Sequence, residues 1–404
     1  MNNTLISKGS REYYIANLAL FLAGFVTFAT LYDFQPLFPN LVSEYGISPA
    51  IASLSLSCAT FSLAFTLPLS GSLSDAIGRE ILMSVAIICA PILALGIVIS
   101  DSLSLLFALR LAQGVILAGI PAVAMAYLND EFEPKALGSA MGLYIAGNAL
   151  GGMTGRLLTA WLADYLSWRS AVAVIALISL VCGIIFLVLI PGSRNFRSQP
   201  FKLMSLSRSL VGHLKNPGLL HLYLIAFACM GGFVTMYNYI TFRLLGVEFN
   251  LTHTQVGLIF FAYAFGAVSS TVMGNLVNQY GRSRILFVSL AVMAGGLLLT
   301  CSGALVVLIF GIVIFTIGFF GVHSVSSSWV GHLARQARAQ ASSLYLFSYY
   351  LGSSISGTLG GYVFAHWHWH GVVVLILGLI GVASLSCLHL GQERSVQSRK
   401  FASV

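Results

Sequence analysis

The chain has 404 residues, of which 58% are hydrophobic and only 8% charged, with a formal net charge of +8. Ordinary globular chains carry roughly 25% charged residues, and the mean hydropathy here is +0.91, so a soluble domain is excluded. The cations form no basic stripe interleaved with exposed aromatics, which excludes a nucleic-acid surface as their purpose.

Apolar runs of about 20 residues recur along the chain, each long enough to cross a bilayer as a helix. In chain order they predict helices over 15–39, 49–71, 80–100, 103–126, 137–162 and 169–190, then over 218–242, 254–277, 284–303, 305–329, 339–365 and 370–390. The expectation is an all-α membrane protein with twelve transmembrane helices. The first run is too long for a signal-peptide core and lacks a small-residue cleavage site, so it is expected to be retained. Residues 191–217 are the only long polar connection, with Pro191, Gly192, Pro200 and five cationic residues. They divide the chain into an N-terminal six-helix bundle (1–190), a linker (191–217), a C-terminal six-helix bundle (218–390) and a tail (391–404).

With the N-terminus inside, the inner segments hold Lys8, Arg11, Arg79, Lys135, Arg194, Arg197, Lys202, Arg208, Lys215, Arg282, Arg284, Arg335, Arg338, Arg394, Arg399 and Lys400. The outer loops hold Arg169 and Arg243 alone. Sixteen against two is a strong positive-inside bias and predicts two cytoplasmic termini. The net charge then reflects topology and an anionic inner leaflet. Cys58, Cys89, Cys182, Cys229, Cys301 and Cys387 are scattered singly inside predicted helices. None pairs at metal spacing, and no disulfide framework is expected; they read as small packing residues.

The two blocks of helices look related. Gly71-Ser72-Leu73-Ser74-Asp75-Ala76-Ile77-Gly78-Arg79 reads as a charged turn between the second and third helices, and Gly274-Asn275-Leu276-Val277-Asn278-Gln279-Tyr280-Gly281-Arg282 is a faded copy of it. Leu143-Tyr144 and Leu150-Gly151 match Leu344-Tyr345 and Leu351-Gly352, and Tyr32-Asp33 corresponds to Tyr237-Asn238. Matches in the same order argue for a duplication, and two halves joined by a long linker imply a secondary transporter. Forty glycines fit close helix packing. They are densest at Gly138, Gly142, Gly147, Gly151, Gly152 and Gly155, and at Gly352, Gly357, Gly360 and Gly361.

Across essentially its whole length the chain resembles the major facilitator superfamily. Gly71 to Arg79 resembles that superfamily's signature loop, G-x-L-x-D-x-x-G-R. Arg110-Leu111-Ala112-Gln113-Gly114 is similar to the helix-four motif of its proton-coupled drug antiporters. Gly138 through Gly155 resembles the helix-five antiporter motif but departs from it, with Gly152 at the usual proline position and Arg156 at the last glycine. The run from Gly147 to Arg156, with Ser342 to Phe347, resembles the YnfM-type branch, which is grouped with acriflavine-type drug exporters. The resemblance implies the superfamily's fold of two pseudo-symmetric six-helix bundles and transport by alternating access. It also implies a gate at Gly71, Asp75, Gly78 and Arg79 that opens as the halves rock. Asp75 is expected to accept hydrogen bonds from the start of helix eleven near Arg338, and from its own neighbour Arg79; a solvated loop charge is the simpler alternative.

Asp33 is the only acidic residue deep within a predicted span. A charge there costs at least roughly 2.5–3.5 kcal/mol and needs a partner, water or a proton. Asp33 lies about 18 residues, roughly 27 Å, along helix one; Arg110 about 7 residues, roughly 10 Å, from the outer end of helix four; Arg156 about 19 residues, roughly 28 Å, along helix five. All three fall at similar heights, so an Asp33–Arg110 contact with Arg156 near it is expected. Burial disfavours a charged carboxylate and a nearby guanidinium favours it. Alternating exposure could switch between the two and couple protons to substrate; a static buried ion pair is the alternative. Arg156 is close enough to the outer surface to snorkel instead.

His323, among Ser324, Ser326, Ser327 and Ser328, is a possible titrating group or a hydrogen-bonded packing element. His366 and His370 could share a helix face as metal ligands do, but no thiolate or carboxylate joins them, and with Trp367 and Trp369 they fit an interfacial belt. Tyr32, Phe34, Phe38, Tyr144, Tyr237, Tyr239, Tyr345, Tyr349 and Tyr350 could hold a flat apolar or cationic compound by stacking and cation–π contact, or simply pack. There is no nucleophile elbow, phosphate loop or zinc motif, so neither an enzyme nor an ATP-driven pump is expected, and no cofactor.

The reading is a monomeric, proton-coupled exporter of a small amphipathic organic compound in a bacterial inner membrane. One rival is an uptake symporter for a small organic anion clamped by Arg110 and Arg156. A second, of another class, is a non-transporting membrane sensor, which a long soluble output domain would favour and this chain lacks.

Overall fold

The computed structural model describes residues 5–196, 198, 203–334 and 336–402. Arg197, Pro200, Lys202 and Arg335 lie outside the described residues, as do the side chains of Arg394, Arg399 and Lys400. Helices account for nearly everything described. The first span joins α1 (Arg11–Tyr32), a 3-10 turn (Gln35–Leu37) and α2 (Phe38–Tyr45). Then follow α3 (Pro49–Ile77), α4 (Arg79–Val98), α5 (Leu103–Leu117) with α6 (Pro121–Glu131), α7 (Pro134–Tyr165) and α8 (Trp168–Leu189). After α9 (Leu203–Leu214) come α10 (Pro217–Leu245), then α11 (His253–Gly257) leading through a 3-10 turn into α12 (Ala262–Tyr280), α13 (Arg282–Leu299), α14 (Leu305–Leu333) and α15 (Arg338–Ala402).

Ten of these stretches are long and apolar enough to cross a membrane. One of them, α15, is broken at His368 (φ 51°) into two helices, and glycine-rich α7 completes the twelve. The protein is an all-helical membrane protein with twelve spans.

Three local features differ from the expectation. Residues 71–77 are not a turn: α3 continues to Ile77, and the chain turns only at Gly78, whose φ of 112° suits glycine alone. Gly281 (φ 83°) does the same between α12 and α13. The first and fourth spans are interrupted, because Pro36 and Pro121 supply no N–H and crowd the preceding turn. The polar linker contains α9, where Leu203, Leu206, Leu210 and Leu214 recur at helical spacing.

By contacts the chain divides into two compact units, 1–47 with 54–203 and 252–260, and 48–53 with 204–251 and 261–404. In the first, α7 lies directly on α1. A Cβ added to Gly147, Gly151 or Gly155 would fall 2.3 Å from the Phe21 carbonyl oxygen, 2.1 Å from that of Phe25 and 2.7 Å from that of Ala29. Spaced by four, these glycines form one face of α7, and their lack of side chains lets the backbones touch. Residues 252–260 join the same unit at the far end of α7, where the Asp164 carboxylate accepts from the amides of His253 (2.9 Å) and Thr254 (2.7 Å). In the second unit α10 lies on α15 in the same manner, with a Gly352 Cβ falling 2.1 Å from the Phe227 carbonyl oxygen.

Candidate functional site

The site grows out of the break in the first span. Because Pro36 stops the helix, α1 ends at Tyr32 and Asp33 caps it in helical geometry (φ −57°, ψ −32°). The last carbonyls of any helix lack intrahelical donors, and here Arg110 of α5 supplies them. Its Nη1 donates to the Thr30 carbonyl (3.0 Å) and its Nη2 to that of Leu31 (2.6 Å). Nε donates to the Ser55 carbonyl, and Nη1 also to Oε1 of Gln113 (2.5 Å) one turn along α5. Gln113 is anchored in turn, donating to the Ala90 carbonyl of α4 (3.0 Å).

Asp33 lies 3.5 Å from Arg110 Nη1, and both side chains are fully buried. Neither carboxylate oxygen accepts a hydrogen bond from a side chain among the described residues. The negative end of the α1 dipole disfavours a carboxylate at this position, so the guanidinium is the compensating charge. Arg110 is held by carbonyls and by the Phe34 ring beneath it (4.7 Å). These contacts of Arg110 do not involve Asp33.

Arg156 of α7 meets the other two residues of the same break. Its Nε donates to Gln35 Oε1 (2.6 Å) and its guanidinium lies 4.0 Å over the Tyr32 ring, while Nη1 donates back to the Gly152 carbonyl (2.7 Å). The Phe260 ring lies 5.3 Å from the same guanidinium. Four consecutive residues, Tyr32 to Gln35, thus serve two buried arginines.

Tyr144 is not part of this group. Its backbone packs at Gly24, nine residues or roughly 13 Å before Asp33 along α1. In the second unit, His323, Tyr345 and Tyr349 do come together. The Tyr345 hydroxyl bonds His323 Nδ1 (3.0 Å) and Ser326 Oγ (2.8 Å), and the Tyr349 ring lies 4.9 Å from the imidazole. Phe319 stacks on His323 and, at 3.7 Å, on Phe233. Phe233 leads to Tyr237 (5.0 Å), whose hydroxyl bonds Thr316 Oγ1 (2.8 Å).

Of the residues expected to form a gate, Asp75 pairs with Arg79 at 2.9 Å one turn on, and Arg79 Nη1 donates to Ser74 Oγ (3.0 Å). Arg79 Nε also donates to Asp130 at the end of α6. Gly71 has open space where a side chain would stand, and Arg338, at the start of α15, donates from Nε to the Ala334 carbonyl (3.2 Å). The sequence reading had not singled out Gln35, Phe233, Phe319 or Asp130. Gln35 carried a signal, as an amide beside Asp33 and Pro36 inside an apolar run; Asp130 carried none, being 51 residues from Arg79.

The glycine-capped turn at Gly78, repeated at Gly281, and the glycine contacts of α7 on α1 and of α15 on α10 fit a duplicated helical bundle. The Major Facilitator Superfamily family profile matches residues 20–246 and 239–403. The chain belongs to the major facilitator superfamily. It is similar to the uncharacterized MFS-type transporter YybF of Bacillus subtilis (strain 168), 45% identical over 94% of each chain. It is also similar to the inner membrane transport protein YnfM of Escherichia coli (strain K12), 41% identical over 95% of this chain and 92% of that one. Among solved structures, a point mutant of the nucleoside transporter NupG shares the fold with a TM-score of 0.78 at 13% identity, covering 93% of this chain and 99% of that one. As a superfamily member the protein is a multi-pass membrane transporter of a small molecule and not an enzyme.

Proposed function

We propose that this superfamily member is a proton-coupled exporter of a small amphipathic organic compound, working by alternating access as a monomer in a bacterial inner membrane with both termini cytoplasmic. Residues 1–190 and 218–390 act as the two bundles, joined by 191–217 and followed by the tail 391–404. The observation that carries this reading is Asp33, buried and 3.5 Å from Arg110, with no side chain among the described residues donating a hydrogen bond to either oxygen. Burial and the negative end of the helix favour the neutral carboxyl, whereas Arg110 and access of water favour the charged one, so alternating exposure loads and releases a proton. Protonation removes the charge, so the same pocket alternates between two charge states. Tyr32, Phe34, Tyr237, Tyr345 and Tyr349, with His323 as a hydrogen-bonding group, supply aromatic faces for an amphipathic compound. Asp75 and Arg79 gate the inner end, with Gly71, Gly78 and Arg338. Among more distant relatives, the chloramphenicol resistance protein CraA of Acinetobacter baumannii, 24% identical over 75% of this chain, is named for such resistance.

The test uses purified protein in liposomes with an internal pH dye, adding lipophilic cations and organic anions in turn. Substrate-driven proton flux in the wild type is expected to vanish in Asp33→Asn. Undiminished flux in that variant would remove Asp33 from coupling. A second reading, uptake of a small organic anion, is favoured by Arg156, a second buried cation lying over Tyr32. Under that reading Arg156→Ala loses anion binding, whereas the exporter of a cation retains binding in the same variant.

A further inference from the structure

The connection from α6 to α7 consists of Phe132 and Glu133 alone, and Asp130, which grips Arg79, lies just before it. Such a short connection cannot absorb a displacement, so whatever fixes it fixes Asp130. Two separate stretches of chain do this. Ile6, ahead of α1, forms an isolated parallel bridge with Phe132: its N–H donates to the Glu131 carbonyl (2.7 Å) and its carbonyl accepts from the Glu133 N–H (3.1 Å). Its side chain is 5% exposed, in the same core cluster as Tyr127, Leu128 and Phe132.

The second hold is the carboxylate of Glu131, a residue 2% exposed. It accepts from the backbone N–H of Asn195 (3.0 Å) and from that residue's Nδ2 (3.1 Å). The chain leaving α8 is tied at further points. The Tyr127 hydroxyl donates to the Pro191 carbonyl (2.7 Å), the Ser193 N–H donates to Glu80 (3.3 Å), and Arg194 pairs with Glu12 (2.6 Å). Glu80 directly follows Arg79, and Glu131 directly follows Asp130. The chain after α8 is therefore fastened beside each end of the Arg79–Asp130 pair.

We propose that Glu131 and Ile6 are positioning residues for the Arg79–Asp130 contact, so that docking of residues 191–195 sets whether Asp130 holds Arg79. The functional weight of this inference rests on the reading of Asp75 and Arg79 as a gate. Hydrogen bonds to a charged acceptor are stronger than neutral ones, which makes Glu131 the firmer of the two holds. The chain that leads toward the second half of the protein would in this way report on, and constrain, the gate at the end of the first half.

Hydrogen exchange on the full-length protein in lipid nanodiscs tests it. The variants are Glu131→Ala and Ile6→Pro, with Asp130→Asn as the reference for a lost contact. Exchange at 74–80 is expected to rise about tenfold in all three, equivalent to ~1.4 kcal/mol. Glu131→Gln, whose one amide oxygen keeps one of the two Asn195 bonds, is expected to recover part of the protection lost in Glu131→Ala. A general loss of stability would not be rescued in that way. Faster exchange confined to 128–134, with 74–80 unchanged, overturns the proposal. Should Glu131→Ala fail to fold, Asn195→Ala removes one of the two bonds and gives the same comparison on a smaller scale. Unchanged transport in Asp130→Asn would sink the gate reading while leaving the positioning inference standing on its exchange data.

Discussion

Arg110 does two things at once, and they can be separated. It satisfies the helix-end carbonyls of Thr30 and Leu31, bonds the Ser55 carbonyl within α3, and balances the charge of Asp33. Removing one partner of a buried ion pair costs about 3–5 kcal/mol because an uncompensated charge remains. Arg110→Gln is therefore expected to be strongly destabilised, and Asp33→Asn with Arg110→Gln to regain part of that loss, since only the carbonyl bonds are then missing. Thermal denaturation of the single and double variants in one detergent measures the difference. Equal midpoints for the two would mean that the carbonyl clamp is the whole of Arg110's contribution. Lysine is a poor substitute in either role, since a single ammonium cannot present the guanidinium's fork to three carbonyls and an amide.

Between helices, the glycines of α7 are not equivalent. Without a hydrophobic drive between spans in lipid, association depends on close packing, and Gly147, Gly151 and Gly155 provide it by meeting α1 backbone directly. Gly138 lies on the same helix with nothing within 4 Å of its missing side chain. Gly151→Val is expected to lose folded protein and transport, by more than the roughly 1–3 kcal/mol typical of overpacking because the obstacle is backbone. Gly138→Val should be tolerated, with monodispersity and transport in liposomes as the joint readout. Similar behaviour of the two variants would mean that helix propensity, not the α1 contact, governs α7. The sequence made the glycine run visible but not which members pack, because only the four-residue spacing of 147, 151 and 155 singles out a face. Likewise the apolar runs placed every span, and Asp33 stood out as an acid in one of them. Pro36 and Pro121 were present as signals for the two breaks, yet the hydropathy of the runs masked them. Contacts such as Gln113 with Ala90, or Glu131 with Asn195, depend on residues 23 and 64 positions apart, and no local pattern encodes them.

At the scale of the whole chain, packing has stayed duplicated while chemistry has diverged. Gly151 on Phe25 in the first unit is matched by Gly352 on Phe227 in the second, and Gly78 by Gly281 at the helix turns. Yet where the first unit has Tyr32-Asp33 the second has Tyr237-Asn238. The buried arginines and the carboxylate belong to the first unit, and the run of rings from Tyr237 through Phe233, Phe319 and His323 to Tyr349 belongs to the second. A scaffold kept constant by backbone contact leaves each half free to diverge, one carrying buried charge and the other a run of aromatic rings. Under the exporter reading this division has a measurable consequence. Tyr349→Ala and Phe233→Ala are expected to raise the substrate KM severalfold and leave the ratio of protons to substrate moved unchanged. Asp33→Asn should abolish the proton flux while substrate still binds. Simultaneous recording of labelled substrate and internal pH in the same liposomes gives both quantities. A changed proton ratio in the aromatic variants would mean that His323 and its surrounding rings take part in coupling, and the separation of roles between the halves would be wrong.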